Sequence, residues 1–162
     1  MGLYALAVKR LDIRVVFRTN KEQNLLEVKM PDVRQGGCLC GAARYEINVE
    51  GHKTGNCHCV DCQKNSGAAF MPFMTVDAGQ FRWLAMPSGA YVSSDKVIRR
   101  FCTVCGSPIT WESKEKPDNQ SVSLGSLDRV EGIEITYEIY TRSRLKNILP
   151  VAEARQYEGD NG

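Results

Sequence analysis

No cysteine in this chain stands alone, and several other common features are missing. There is no long apolar run, no large charge imbalance, no low-complexity segment and no internal repeat, and only two histidines are present. Each absence excludes something. No apolar stretch approaches the roughly 18–20 residues that cross a bilayer as a helix, so no membrane association is expected. Met1–Val8 is apolar but ends at Lys9-Arg10, without a basic start or a small-residue cleavage site, which argues against a secretory signal. The 21 Lys and Arg are interleaved with 19 Asp and Glu, giving a formal charge of only +2. No basic stripe announces nucleic acid, and none is expected as a partner. Arg99-Arg100 reads as a solvated surface pair.

What is present fits one compact domain. The 162 residues are 43% hydrophobic, enough for a sizeable core. Strand-like runs dominate: Ile13–Thr19, Asn24–Met30, Ala42–Val49, Ala69–Val76, Gln80–Leu84, Val97–Phe101, Ser107–Trp111, Ser121–Leu124 and Ile133–Tyr140. The last alternates, with Ile133, Ile135, Tyr137 and Ile139 on one face and Glu134, Thr136, Glu138 and Tyr140 opposite. Helical signals are short, at Asp61–Asn65 and in a turn around Ser143–Ile148. The fold class is all-β, mainly antiparallel sheets with short helical turns. Lys114–Gln120 is a polar hairpin connection. Residues 1–29, with no cysteine, read as an N-terminal extension that adds strands or attaches loosely. Residues 30–157 form the domain, and 158–162 a flexible tail.

The seven cysteines fall into three groups: Cys38-Leu39-Cys40, Cys57-His58-Cys59-Val60-Asp61-Cys62, and Cys102-Thr103-Val104-Cys105. An odd count opposes a fully paired disulfide framework, and clustered cysteines in a reducing cytoplasm are metal ligands more often than disulfides. Zinc favours tetrahedral thiolate sites, and ligands close in sequence cost little loop-closure entropy. The Cys-x-Cys spacing places two side chains on one face of an extended segment, and Cys-x-x-Cys suits a turn. Neither outer pair completes a tetrahedron alone, so together they close one four-thiolate site: Cys38, Cys40, Cys102 and Cys105. Cys57, Cys59 and Cys62 are left as a three-thiolate group with an open position. Two zinc ions per chain are expected, one structural and one exchangeable. Glycines flank each group, and Gly106 after Cys105 supplies the positive φ that a zinc-binding turn requires.

These segments carry a family resemblance. Gly36-Gly37-Cys38-Leu39-Cys40-Gly41-Ala42-Ala43-Arg44-Tyr45 resembles the opening motif of the glutathione-dependent formaldehyde-activating enzyme family, which includes centromere protein V. The run from Cys57 to Phe70 is similar to its second motif, Arg100–Ser107 to its third and Gly125-Ser126-Leu127-Asp128 to its fourth. The resemblance extends from about Gly36 to Pro150. It implies a zinc-bound β-tent fold, with Cys38, Cys40, Cys102 and Cys105 on structural zinc and Cys57, Cys59 and Cys62 on catalytic zinc. It also implies a carbon–sulfur lyase of the S-hydroxymethylglutathione synthase type, with glutathione as a cosubstrate and a small thiol or aldehyde as substrate. The alternatives are a non-catalytic zinc-stabilised binding module and an enzyme acting on a different thiol adduct. A cytoplasmic location is expected.

The remaining candidates are weaker. Arg44, Lys64 and Arg100 are the cations nearest the cysteines in sequence and could meet glutathione's carboxylates. His58 points away from Cys57 and Cys59, toward a hydrogen bond behind the ligands or toward the surface. His52 reads as solvated. Asp61 reads as the cap of the helix carrying Cys62 or as a catalytic carboxylate. Phe70, Met71, Phe73 and Met74 pack in the core or line a cleft beside the second group. Trp83 and Trp111 read as core or sheet-face residues. Asp128 ends a strand and fixes a turn.

Overall fold

The computed structural model describes residues 30–87 and 89–160. The expected extension over 1–29, with its strand over Ile13–Thr19 and nearly all of Asn24–Met30, lies outside the described residues. So do the last two residues of the tail.

The described chain is built on two sheets. The first is a three-stranded antiparallel sheet of β1 (Val33–Gly37), β2 (Arg44–Asn48) and β5 (Phe81–Ala85), in the order β1-β2-β5. The second contains β3 (Lys53–Cys57), β4 (Met71–Asp77), β6 (Gly89–Ser94), β7 (Val97–Phe101), β8 (Pro108–Ser113), β9 (Asn119–Ser123), β10 (Tyr137–Ile139) and β11 (Arg155–Gln156). Its order is β11-β10-β3-β4-β9-β8-β7-β6. It is antiparallel except at one end, where β10 runs parallel to both β3 and β11. The all-β expectation holds, with one helix, α1 (Val60–Ser66), between β3 and β4.

Period-two patterning explains the core. Tyr45 and Ile47 of β2 are fully buried while Arg44, Glu46 and Asn48 are only half-buried, as alternation across a strand requires. They pack with Met74, Val76, Ile109, Val122 and Leu127 in the main apolar cluster. Each such side chain contributes about 1.5–3 kcal/mol on removal from water. Trp83 packs against this cluster, edge-on to Phe81 with ring centroids 5.0 Å apart. The Tyr45 hydroxyl donates to Ser126 Oγ at 2.7 Å, and Ser126 in turn donates to the Ser123 carbonyl at 2.7 Å. The first and fourth motifs are thereby joined through the core.

The sequence reading did not locate β1, β3, β6 or β11, and it overextended β10. Only Tyr137–Ile139 of the run Ile133–Tyr140 is strand. The predicted apolar face is half-buried, and on the opposite face Glu134 and Thr136 are exposed as expected while Glu138 is only 1% exposed. The cause is the parallel insertion of β10 between two strands, which surrounds the carboxylate with donors. Asn56 Nδ2 and His58 Nε2 donate to its Oε1 at 3.2 and 3.0 Å. Arg144, the Val151 amide and Gln156 donate to its Oε2 at 2.8, 3.0 and 2.8 Å. Burial alone would raise this carboxyl. Hydrogen bonds from His58, Gln156, Val151 and Asn56 outweigh that effect and pull it down to about 2.

Candidate metal centres

The first and third cysteine groups occupy the connections of two hairpins, β1–β2 and β7–β8. The two loops are closed alike. The Cys38 amide donates to the Ala43 carbonyl at 3.0 Å, and the Cys102 amide donates to the Ser107 carbonyl at 3.0 Å. Gly41 and Gly106 turn each chain at φ values of 79° and 77°, a region that a side chain disfavours. Because the hairpins belong to different sheets, their loops bring together cysteines more than sixty residues apart. The four Sγ atoms all lie within 4.8 Å of one another.

The donor set fits zinc. A tetrahedron with sulfur about 2.3 Å from the ion places sulfurs about 3.8 Å apart. Cys38 and Cys40 stand 3.5 Å apart and Cys40 and Cys102 3.7 Å. This corrects the extended reading of Cys38-Leu39-Cys40. Side chains two apart on a strand are separated by about 7 Å at their bases; the segment is instead a turn, with the two sulfurs 3.5 Å apart. The loop also prepares the sulfurs. The Ala43 amide donates to Cys38 Sγ at 3.2 Å and lowers that thiol. The Ser107 hydroxyl and amide hold the Cys105 thiol down at about 5. Leu39, exposed between the two cysteines, donates its amide to Ser107 Oγ at 3.1 Å and ties one loop to the other.

The middle group sits at a single strand–helix junction. Cys57 ends β3, Cys59 caps α1 and Cys62 lies in its first turn. Their Sγ atoms also lie within 4.8 Å of one another, and among the described residues no fourth His, Cys, Asp or Glu joins them. Cys57 and Cys62 are buried and Cys59 is half-buried. Cys59 Sγ accepts from the Cys62 amide at 3.4 Å, so the cap is a cysteine and not Asp61. Asp61 is an exposed first-turn residue. Hydrogen bonds from Cys57 and Cys62 lower the Cys59 thiol, and the charge of Arg99 adds to the effect. Hydrogen bonding to Cys59 and Cys62, then burial, drives the Cys57 thiol up. Crowded sulfurs thus resist ionising together unless a cation offsets their charge, which is the electrostatic condition of a metal site.

The glutathione-dependent formaldehyde-activating enzyme family profile matches residues 33–143, spanning both cysteine clusters. The chain belongs to this family. A structural-genomics crystal structure of a Rhodobacter sphaeroides protein shares the fold at 19% identity and a TM-score of 0.53, over 62% of this chain and 96% of that one. No curated protein matches the chain.

Within this family member, the segment carrying the middle group is braced from behind. His58 is fully buried, as the hydrogen-bonding reading required, and its Nε2 donates to Glu138. Gln63 donates to the carbonyls of His58 and Ser143 at 2.8 and 2.9 Å, pinning α1 to the chain beyond β10. Phe73, Ile139 and Tyr140 pack against the cysteines. Met71, also part of that packing, lines a cleft of about 440 Å³ whose wall includes Cys38, Ser66, Phe70, Ser123 and Asp128 but none of Cys57, Cys59 and Cys62. The Ser66 hydroxyl donates to the Cys62 carbonyl at 2.8 Å, so the cleft wall and the cysteine helix share a hydrogen bond.

The proposed carboxylate partners divide. Arg44 forms a forked pair with Asp128, and Arg100 pairs with Glu112 at 2.7 Å, so both are engaged within the protein. Asp128 thus does more than end a strand. Lys64 is exposed in the last turn of α1. His52 is half-buried, its Nδ1 2.6 Å from the Val49 carbonyl, rather than solvated. The surface reading of Arg99-Arg100 is overturned. Arg99 is 7% exposed, and its two terminal nitrogens each lie 3.9 Å from Cys62 Sγ. Sequence reading missed Arg99 and Glu138 because adjacent or alternating charges normally mark a solvated edge. The available signal was the β7 alternation, which sets Arg99 on the same face as Val97 and Phe101.

Proposed function

We propose that this protein is a zinc-dependent, carbon–sulfur lyase-like enzyme that makes and breaks the bond between a thiol sulfur and an aldehyde carbon. Glutathione is the proposed thiol, and the adduct is S-hydroxymethylglutathione or a close relative. The observation that carries this reading is the contrast between the clusters: four convergent sulfurs in one, three in the other. Three thiolates leave the fourth position of a tetrahedral ion for a substrate.

On this reading Cys38, Cys40, Cys102 and Cys105 hold structural zinc, and Cys57, Cys59 and Cys62 hold the catalytic ion. Zinc at the second site would supply stabilisation of a substrate thiolate at neutral pH. The chain's own groups fix the geometry. The Cys59 cap and the Glu138–His58 bond orient the ligands, while Met71 and Phe73 pack against them on the apolar side. In the forward direction the sulfur attacks the carbonyl carbon and a C–S bond forms. The carbonyl π pair moves to oxygen, which takes up the proton released by the thiol. In reverse the hydroxyl loses its proton as the C–S bond breaks.

Formaldehyde and glutathione also combine without a catalyst. The test is the rate of adduct formation above the spontaneous rate, for the zinc-loaded protein and for Cys59→Ser. Acceleration that vanishes in the variant supports the reading. A folded, zinc-loaded protein with no acceleration, and a cobalt-substituted spectrum unmoved by glutathione, would leave the non-catalytic binding module.

A further inference from the structure

Arg99 is a buried cation without a carboxylate among the described residues. Among the described residues its guanidinium meets Cys62 Sγ, 3.9 Å from each terminal nitrogen. Arg34, Arg44, Arg82, Arg100 and Arg144 all reach a carboxylate, and none of these five is buried as Arg99 is. A guanidinium removed from water without a counter-charge is strongly unfavourable. Its position therefore makes sense only if the sulfur cluster beside it carries net negative charge.

The charge count says how much. Three thiolates around a divalent ion leave one net negative charge, and Arg99 cancels it. When an anionic fourth ligand enters, the site with Arg99 goes from neutral to singly negative. Without Arg99 it would go from singly to doubly negative in a largely buried setting, which low effective dielectric penalises heavily. Among the described residues no buried cation is bonded to the sulfurs of the four-cysteine cluster, and Arg44, which interacts electrostatically with Cys38, is paired with Asp128. The cluster needs none, because it takes no further ligand and its Cys40 is exposed to water.

We infer that Arg99 is a specificity-determining residue of the three-cysteine site, the charge partner that lets the site accept an anionic fourth ligand. The inference rests on the reading of Cys57, Cys59 and Cys62 as metal holders. It assigns the class of ligand: a thiolate or comparable soft anion is favoured over a neutral donor. Arg99 acts through the field it sets at the cluster and is not assigned any proton transfer.

The test uses the full-length protein with cobalt(II) in place of zinc, its visible absorption titrated with thiocyanate, glutathione and imidazole. The variants are Arg99→Met and Arg99→Gln, which remove the charge, and Arg99→Lys, which keeps it. Thiocyanate and glutathione should bind about tenfold more weakly to the Met and Gln variants, the effect expected of one lost charge several ångströms away. Arg99→Lys should restore most of the anion affinity, with circular dichroism reporting the fold of every variant. Imidazole affinity should be the same throughout. Unchanged anion affinity in the neutral variants overturns the inference, as does a parallel loss of imidazole, which would mean general damage. Neutral variants that cannot be folded with cobalt bound also count against it, because the role assigned lies in accepting the fourth ligand and not in retaining the metal. Wild-type protein that binds thiocyanate but not glutathione defeats the proposed thiol chemistry and leaves this inference standing. Wild-type protein that binds neither anion defeats the inference.

Discussion

The four-cysteine cluster joins two hairpin loops from different sheets, whereas the three-cysteine cluster is confined to one strand–helix junction. The first is the more exposed, with Cys40 at the surface, and the second is the more buried. Depth therefore does not mark one as structural and the other as reactive. What separates them is closure and what stands behind the sulfurs. The outer loops supply four donors and hold them with their own backbone. The inner junction supplies three, with a buried arginine against one sulfur and a buried histidine–glutamate pair behind the strand that carries them.

The largest effect should come from breaking the long-range site. Cys102→Ser removes a sulfur from the cluster that links the two sheets, and structural zinc sites contribute on the order of 10 kcal/mol to folding in small domains. That variant should fail to give a cooperative thermal transition by circular dichroism. Cys59→Ser should behave oppositely, because serine is itself a good helix cap. It should melt near the wild-type temperature while elemental analysis finds one zinc per chain fewer. If both variants unfold alike, the division of labour between the clusters is wrong.

Next in size is the brace behind the inner site. Glu138 has its carboxyl lowered from 4.5 to about 2 in the folded protein. A lowered carboxyl stabilises the fold at pH values above 4.5, and that contribution is lost as pH falls from 4.5 toward 2. Its full value is about 3 kcal/mol. Glu138→Gln should therefore be less stable than wild type at neutral pH. Its urea midpoint should also fall less steeply between about pH 4.5 and pH 3 than the wild-type midpoint does. Parallel acid limbs would show that the carboxylate is not the group being protonated. Thiolate protonation is common to both proteins and cancels in the comparison.

Smaller still is the turn geometry of the outer loops. Gly106→Ala places a Cβ at φ 77° and should cost about 1–2 kcal/mol, read from denaturant unfolding at fixed zinc. Gly41→Ala, at φ 79°, should cost the same if the two loops are equivalent halves of one site. The smallest effect is expected from Tyr45→Phe. It deletes a single hydrogen bond to Ser126 inside the core and should cost about 1 kcal/mol, with zinc content unchanged.

Much of this was readable in the residues. Runs of β-branched and aromatic residues located most of the described strands to within a few residues, because such side chains suit a half-buried pleated surface, while β1, β3, β6 and β11 were not located. Spacing and counting grouped the cysteines, because ligands of one ion near in sequence are cheap to gather. Gly106 marked its turn, because its φ is a local property. At the two sites, three things were not readable. The turn at Cys38–Cys40 was hidden because Cys-x-Cys fits a strand as well as a turn. Arg99 and Glu138 looked like surface charges, because a charge is buried only when partners distant in sequence compensate it: Cys62 for Arg99, and His58, Asn56, Val151 and Gln156 for Glu138.

By itself the sequence determined the all-β class, the family and the unequal grouping of seven thiols, since these depend on local patterning and on ligand chemistry. Only the tertiary structure decided that two hairpin loops from separate sheets meet, and that a buried cation faces the three-thiol cluster. Those facts depend on sheet order and register, which bring together residues that no local pattern connects.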